Sequence, residues 1–256
     1  MKKCPLFSIC GGCAYDFSDE KKYKSEKLAN LPKINFTDDA IWGAVGTRRR
    51  ADFAFVEGHF GFFKTNFRGA VEKLPASIIR FTWNDKIVRQ YAEPEIKFND
   101  KIVKYTPGAF LQPTQQTEQI LRDMVVKYVG NAKKTVDLFC GLGNFTYATN
   151  ATGFDVFGNG IKRDLFKRPL TAKNLNQYEV IIMDPPRTGA MEQCKEIAKS
   201  NVPRVIYVSC NPNTFVRDAQ ILERGGYKMT TAIPIDQFVG ASHWEIFSIF
   251  DNRSIL

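Results

Sequence analysis

The sequence predicts an α/β chain whose second half is an open, mainly parallel, Rossmann-like sheet. Two apolar runs, Val180-Ile-Ile-Met183 and Val205-Ile-Tyr-Val208, have the length of buried strands and stop at polar turns, Asp184-Pro-Pro-Arg187 and Ser209-Cys210-Asn211-Pro212. A third stretch, Lys134-Thr-Val-Asp-Leu-Phe-Cys-Gly141-Leu-Gly143-Asn-Phe, reads as a strand, a glycine turn and the start of a helix, the first βα unit of such a sheet. Ligands of open α/β sheets bind at the carboxyl ends of the strands. Two strands that bring a thiol and a carboxylate to one edge therefore suggest an active site. Taken alone, Cys210 could equally be an inert buried thiol.

The 256 residues suffice for one large domain or two modest ones, and a hydrophobic content of 44% supports a real core. No apolar stretch approaches the roughly 20 residues of a membrane helix. Met1-Lys-Lys-Cys-Pro has no long apolar core behind it and does not read as a secretory signal. A cytoplasmic, monomeric protein with no membrane partner is expected. Lys and Arg number 36 against 27 acids, a formal net charge of +9, which favours a polyanionic partner, nucleic acid first.

Six cysteines do not form a disulfide framework: three crowd the first thirteen residues and three are scattered through the second half. In Cys4-Pro-Leu-Phe-Ser-Ile-Cys10-Gly-Gly-Cys13 the spacing suits an iron–sulfur cluster or zinc, with no fourth thiol before Cys140. Residues 16–31 read as a solvated, lysine-rich helix ended by Pro32. Short strands are expected from about Phe36 to Ile102. There Arg48, Arg49 and Arg50 stand among phenylalanines, a combination suited to phosphates and unpaired bases. The phenylalanines fit a core at least as well.

In the second half Thr114 is a plausible N-cap, Ile120, Leu121, Met124, Val125 and Tyr128 keep helical spacing, and Gly130 closes the helix. The glycine turn has no third glycine in the dinucleotide register, and Asp-Leu-Phe-Cys-Gly-Leu-Gly-Asn-Phe points to S-adenosylmethionine instead. Asp137 is placed to contact the ligand's polar end.

Together, Asp137–Thr146, Asp184–Gly189, Ser209–Pro212 and Asp236–Glu245 resemble the RNA uracil-5-methyltransferases, in the family's order. The N-terminal thiols resemble the ribosomal-RNA branch that carries a [4Fe-4S] cluster. The resemblance implies a Rossmann-like S-adenosylmethionine-dependent methyltransferase domain at 105–256. Before it would come a cysteine-cluster segment with a basic helix at 1–35 and a small β-rich RNA-binding domain at 36–104, an α+β arrangement. It assigns Cys210 as nucleophile and Glu245 as general base. It places Gln112, Phe145, Asp164 and Asp184 around the cofactor, beside Asp137, Gly141 and Gly143 of the glycine turn, and Cys4, Cys10 and Cys13 on the cluster; Arg48, Arg49 and Arg50, by their residue type, are the candidates for RNA. The chemistry is reasonable for those residue types: C5 of uracil is a poor nucleophile until a thiolate adds at C6, and the C5 proton then needs a base.

The sequence departs from the family in places. The family ends its second strand with an acid, whereas Val156-Phe-Gly-Asn-Gly-Ile161 has none and runs almost directly into Lys162-Arg-Asp-Leu-Phe166, so that a helix and a strand are expected to be missing. Glu72-Lys-Leu-Pro-Ala-Ser77 resembles the neighbourhood of the fourth cluster ligand without its thiol. Val239 and Ala241 replace the family's usual proline and threonine. One alternative is a catalytically inactive RNA-binding or iron–sulfur protein derived from this family. Another is a methyltransferase acting on an exocyclic amine, which Arg187 after the prolines disfavours.

Overall fold

In this computed structural model the described residues are 7, 13–44, 54–56, 59–63, 70–71, 80–83 and 86–254. Helix α1 (Glu20–Leu28) is capped by Asp19, whose carboxylate accepts the Lys22 N–H at 3.0 Å. Its composition predicts a solvated helix, yet Tyr23 and Lys27 are buried. Both reach into the second half of the chain: the Tyr23 hydroxyl donates to Asp236 Oδ2 at 2.7 Å, and Lys27 Nζ pairs with Asp236 Oδ1.

Among the described residues short strands follow, as the sequence predicts: β1 (Ile41–Trp42), β2 (Ala54–Val56), β3 (His59–Phe63), β4 (Ala70–Val71), β5 (Arg80–Trp83), β6 (Lys86–Gln90), β7 (Glu95–Phe98) and β8 (Lys101–Lys104). β2–β3–β4, β5–β6 and β7–β8 form small antiparallel pieces. β1 instead joins the large sheet, with Ile41 beside Ile235 and Trp42 beside Asp236. The stretch 36–104 thus lends its first strand to the second half.

Helix α2 (Gln115–Val129) has the expected ends, Thr114 accepting the Thr117 N–H at 3.1 Å and Gly130 at φ +57°. Then come β9 (Thr135–Leu138), α3 (Asn144–Thr149), β10 (Thr152–Asp155), β11 (Ile161–Lys162), α4 (Ala172–Leu175) and β12 (Val180–Met183). The chain continues with α5 (Met191–Ile197), β13 (Arg204–Ser209), α6 (Pro212–Arg224), β14 (Tyr227–Asp236) and β15 (Glu245–Asn252). The large sheet has the order β1-β14-β15-β13-β12-β9-β10-β11, and β15 alone runs against its neighbours.

Period-two alternation sorts the core. Ile181, Met183, Val205 and Tyr207 face the layer of α5 and α6, with Cys194, Phe215 and Leu222. Val180, Ile182, Ile206 and Val208 face Leu121 and Val125 of α2, together with Phe145. Each such fully buried side chain contributes about 1.5–3 kcal/mol relative to exposure. After β9 the chain moves to β10 and β11, then crosses to β12 on the other side. The crevice at this switch lies between β9 and β12, at their carboxyl ends.

One connection corrects the sequence reading. Both strands around 156–160 are present; only the helix between them is absent. Phe154 pairs with Ile161 and Asp155 with Lys162 in parallel, although parallel crossovers ordinarily need about a dozen residues. With no covering helix, Val156, Phe157 and Ile161 remain exposed.

Candidate active site

The site is assembled from the carboxyl ends of β9, β12 and β13 and the amino end of β15. After β9 the backbone turns through Phe139, Gly141 and Gly143 at φ +63°, +52° and +96°, and Gly143 starts α3. A side chain on Gly143 would collide with the Tyr147 ring, 2.7 Å from its Cβ position. Asp137, fully buried in β9, accepts the Thr146 hydroxyl on Oδ2 at 2.6 Å, while its Oδ1 has no partner among the described residues. Both polar atoms of the Asn144 side chain are buried and likewise unpaired among them.

β12 delivers Asp184, whose Oδ2 accepts Gln112 Nε2 at 2.9 Å. β13 delivers Cys210, and Asn211 caps α6 through the Asn213 N–H. Glu245 opens β15 beside Ile235 and is 1% exposed. Between the two carboxyls runs a bridge of two glutamines: Gln237 Nε2 donates to Gln112 Oε1 at 2.6 Å and to Glu245 Oε2 at 2.9 Å. The sequence reading missed Gln237; its only signal was adjacency to Asp236 inside the Asp236–Glu245 segment.

Burial sets the electrostatics. It raises Asp137 to about 7 and, with Asp137 nearby, Asp184 to about 7. Burial and then Asp184 hold Glu245 well above the usual carboxylate range. Burial, followed by Glu245 and Asp184, pushes the Cys210 thiol up to about 12, and Arg187 offsets part of this. His243 is held below its ordinary value by burial, with Arg187 and Lys27 adding to it. No Lys or Arg is paired with Asp137, Asp184 or Glu245 among the described residues. The site thus raises the proton affinity of its acids and its thiol.

The second strand of this half, β10, does end in an acid, Asp155, one residue before Val156–Ile161. Asp155 Oδ2 accepts the Gly141 N–H and Oδ1 the Phe157 N–H, both at 2.9 Å. The short crossover also grips the glycine turn: the Asn159 N–H donates to Gly141 O at 3.2 Å and Asn159 Nδ2 to Leu142 O at 3.3 Å. Asp164 follows β11 at the same edge, where Oδ1 accepts the Phe166 and Lys167 N–H groups. Phe145 faces α2 in the apolar layer.

Cys13 lies against the loop before Glu245. The Ala14 and Tyr15 N–H groups donate to Gly240 O at 2.6 and 3.1 Å, and a Cβ on Gly240 would stand 3.0 Å from Cys13 Sγ. Cys4, Cys10, Arg48, Arg49, Arg50 and the segment 72–77 lie outside the described residues. Among the described residues no three His, Cys, Asp or Glu side chains are placed to hold a metal ion.

Sheet order, glycine turn and strand-end acids define the Rossmann-like fold of S-adenosylmethionine-dependent methyltransferases. A crystal structure of Pyrococcus abyssi tRNA (uracil-54, C5)-methyltransferase, in complex with S-adenosyl-L-homocysteine, shares the fold with a TM-score of 0.54 at 20% identity, covering 75% of this chain and 55% of that one. The family model for tRNA (uracil-5-)-methyltransferase matches residues 161–252. An uncharacterized RNA methyltransferase of Mesorhizobium japonicum is 39% identical over 201 residues, 70% of this chain and 49% of the relative. The 23S rRNA (uracil(1939)-C(5))-methyltransferase RlmD of Neisseria lactamica is 30% identical over 199 residues, 62% of this chain and 44% of that protein. The chain belongs to the RNA uracil-5-methyltransferase family. It spans about half the length of the curated relatives it matches.

Proposed function

We propose that this protein transfers a methyl group from S-adenosylmethionine to C5 of a uridine in RNA, through a covalent adduct between Cys210 and C6. The observation that carries the reading is the bridge Asp184–Gln112–Gln237–Glu245, which holds two carboxyls in one site that also perturbs the Cys210 thiol. The residues fit the donor. Among the described residues Asp137, Asp184 and Glu245 are acids without a paired cation, and Asp137 Oδ1 and the Asn144 amide are buried polar atoms without a hydrogen-bond partner. When bound, S-adenosylmethionine supplies an electrophilic methyl group on a cationic sulfur.

A nearby positive charge lowers the proton affinity of Asp184, Glu245 and Cys210 together. The Cys210 thiolate attacks C6, and the C5=C6 electron pair moves onto C5 and the C4 carbonyl oxygen. C5 then forms its bond to the methyl carbon while the methyl–sulfur bond breaks and its electron pair stays on sulfur, leaving a neutral thioether. Glu245, ionised, takes the proton from C5, and the returning electrons restore C5=C6 as the bond to Cys210 breaks. The base must first leave its stack to reach Cys210.

We take the RNA to be ribosomal, the protein to be monomeric and its place the cytoplasm. The ribosomal assignment draws on the N-terminal thiols and the Neisseria relative. A [4Fe-4S] cluster on Cys4, Cys10 and Cys13 belongs to the same reading and takes no part in the steps above. Anaerobic purification with iron should give a brown protein with bound iron; a colourless, iron-free preparation would remove the cluster.

The test of the main reading is an RNA carrying 5-fluorouridine, in which a base cannot remove fluorine from C5. With methyl donor, a denaturation-resistant complex should form with wild type and vanish in Cys210→Ala. The short crossover gripping the glycine turn favours one competing reading, an inactive RNA-binding or iron–sulfur descendant of the family. No complex, together with no donor binding by calorimetry, would establish that reading instead.

A further inference from the structure

Gln237 is 1% exposed, and with Asp184 ionised the hydrogen bonds around it set the orientation of its carboxamide. The chain of donors starts at Asp184, an acceptor when ionised, which takes Gln112 Nε2 and so turns Gln112 Oε1 toward Gln237. Gln237 must then present Nε2, whose two hydrogens go to Gln112 Oε1 and Glu245 Oε2. Exchanging nitrogen and oxygen would set Gln237 Oε1 against two other oxygens. Oε1 is thereby a committed acceptor, and it is buried without a hydrogen-bond partner among the described residues. The neighbouring Glu245 Oε1 is likewise without a partner among the described residues.

Buried acceptors are nearly always paired, so an orphan beside a reactive centre marks where a ligand donor arrives. A target pyrimidine brought to Cys210 and Glu245 offers different groups at position 3. Uracil carries an N3–H donor; cytosine carries a bare N3 acceptor, which would face Gln237 Oε1 lone pair to lone pair. We propose that Gln237 Oε1 accepts the N3–H of the target base, which makes Gln237 the residue that separates uracil from cytosine. The inference rests on the pyrimidine C5-methyltransferase reading above. It also explains the two-glutamine bridge: the contact to Gln112 fixes the reading group's orientation, and the contact to Glu245 places it beside the base.

The experiment pairs the residue with the group it reads. Wild type and Gln237→Met are incubated with methyl donor and RNA bearing either 5-fluorouridine or 5-fluoro-3-methyluridine at the target, and the rate of adduct formation is measured. In wild type, removing the N3–H should slow the adduct by at least about 100-fold, because the acceptor is left unpaired. In Gln237→Met the same change should cost less than about fivefold. Equal losses in both proteins would overturn the assignment. If Gln237→Met does not fold, wild type still decides: an adduct indifferent to N3 methylation rules the contact out. Absence of any wild-type adduct with 5-fluorouridine would instead indict the parent reading, so the two failures are distinct.

Discussion

Asn211 donates its side-chain amide to the backbone carbonyl of Arg187 at 2.8 Å, and Thr214 Oγ1 donates to the same oxygen at 3.2 Å. The turn after β13 is thereby pinned to the turn after β12. Cys210 and Asp184, one residue and three residues from this clasp, share one frame.

Asn211→Ala removes the shorter arm of the clasp and the cap of α6. Loss of a cap costs about 0.5–2 kcal/mol. The fall in kcat should exceed what partial unfolding explains, by about tenfold or more, because Cys210 loses its reference to Asp184. Urea titration and single-turnover methyl transfer on one preparation test this. A kcat unchanged at a temperature where the variant is fully folded would refute the clasp.

Lys27 and Asp236 are both fully buried and paired, with Lys27 Nζ also donating to Phe238 O at 3.1 Å and lying 4.9 Å from the Trp244 ring centroid. Lys27→Met leaves a buried carboxylate without its cation, which costs about 3–5 kcal/mol. Unfolding followed by tryptophan fluorescence should show it, and adding Asp236→Asn should recover part of the loss. A single variant as stable as wild type would mean the pair contributes nothing to the fold.

Gly158 sits at φ +73°, and a Cβ there would lie 1.7 Å from Gly141 O. Neither partner can yield, since one is backbone of the glycine turn. Gly158→Ala should push that turn out of place and weaken binding of S-adenosylhomocysteine at least about tenfold by calorimetry. Unchanged affinity would detach the crossover from the cofactor site.

Asp137 and Asp184 are raised to about 7, mainly by burial. Unfolded, a carboxyl ionises near pH ~4. Below that value both states hold the proton and there is no penalty. Between about 4 and 7 the folded protein binds more protons than the unfolded chain, so stability falls as pH rises, and the loss levels off above about 7. Denaturation midpoints at pH 4.5, 6 and 7.5 for wild type and Asp137→Asn isolate the effect, at pH values chosen as roughly spanning that window. The variant should lose less stability across the series; parallel profiles would rule the buried acid out as the cause.

What the sequence determined by itself is what neighbours along the chain determine. The apolar runs Val180–Met183 and Val205–Val208 set two buried strands, and Thr114 and Gly130 set both ends of α2. The order of the glycine turn, Asp184, Cys210 and Glu245 was legible too, because each stands where an apolar run begins or ends. The tertiary structure decided what depends on residues far apart. Lys27 in a lysine-rich helix looks solvated until its partner, 209 residues away, is brought beside it. Gln237 and Gln112 are separated by 125 positions, and neither carries a local pattern that announces a hydrogen bond. Asp155 escaped notice because the strand's last residue is settled by pairing with β9 and β11, which no local preference fixes. Local geometry follows from short-range sterics and capping. Burial, proton affinity and the choice of hydrogen-bond partner follow from which groups the folded sheet brings within a few ångströms of each other.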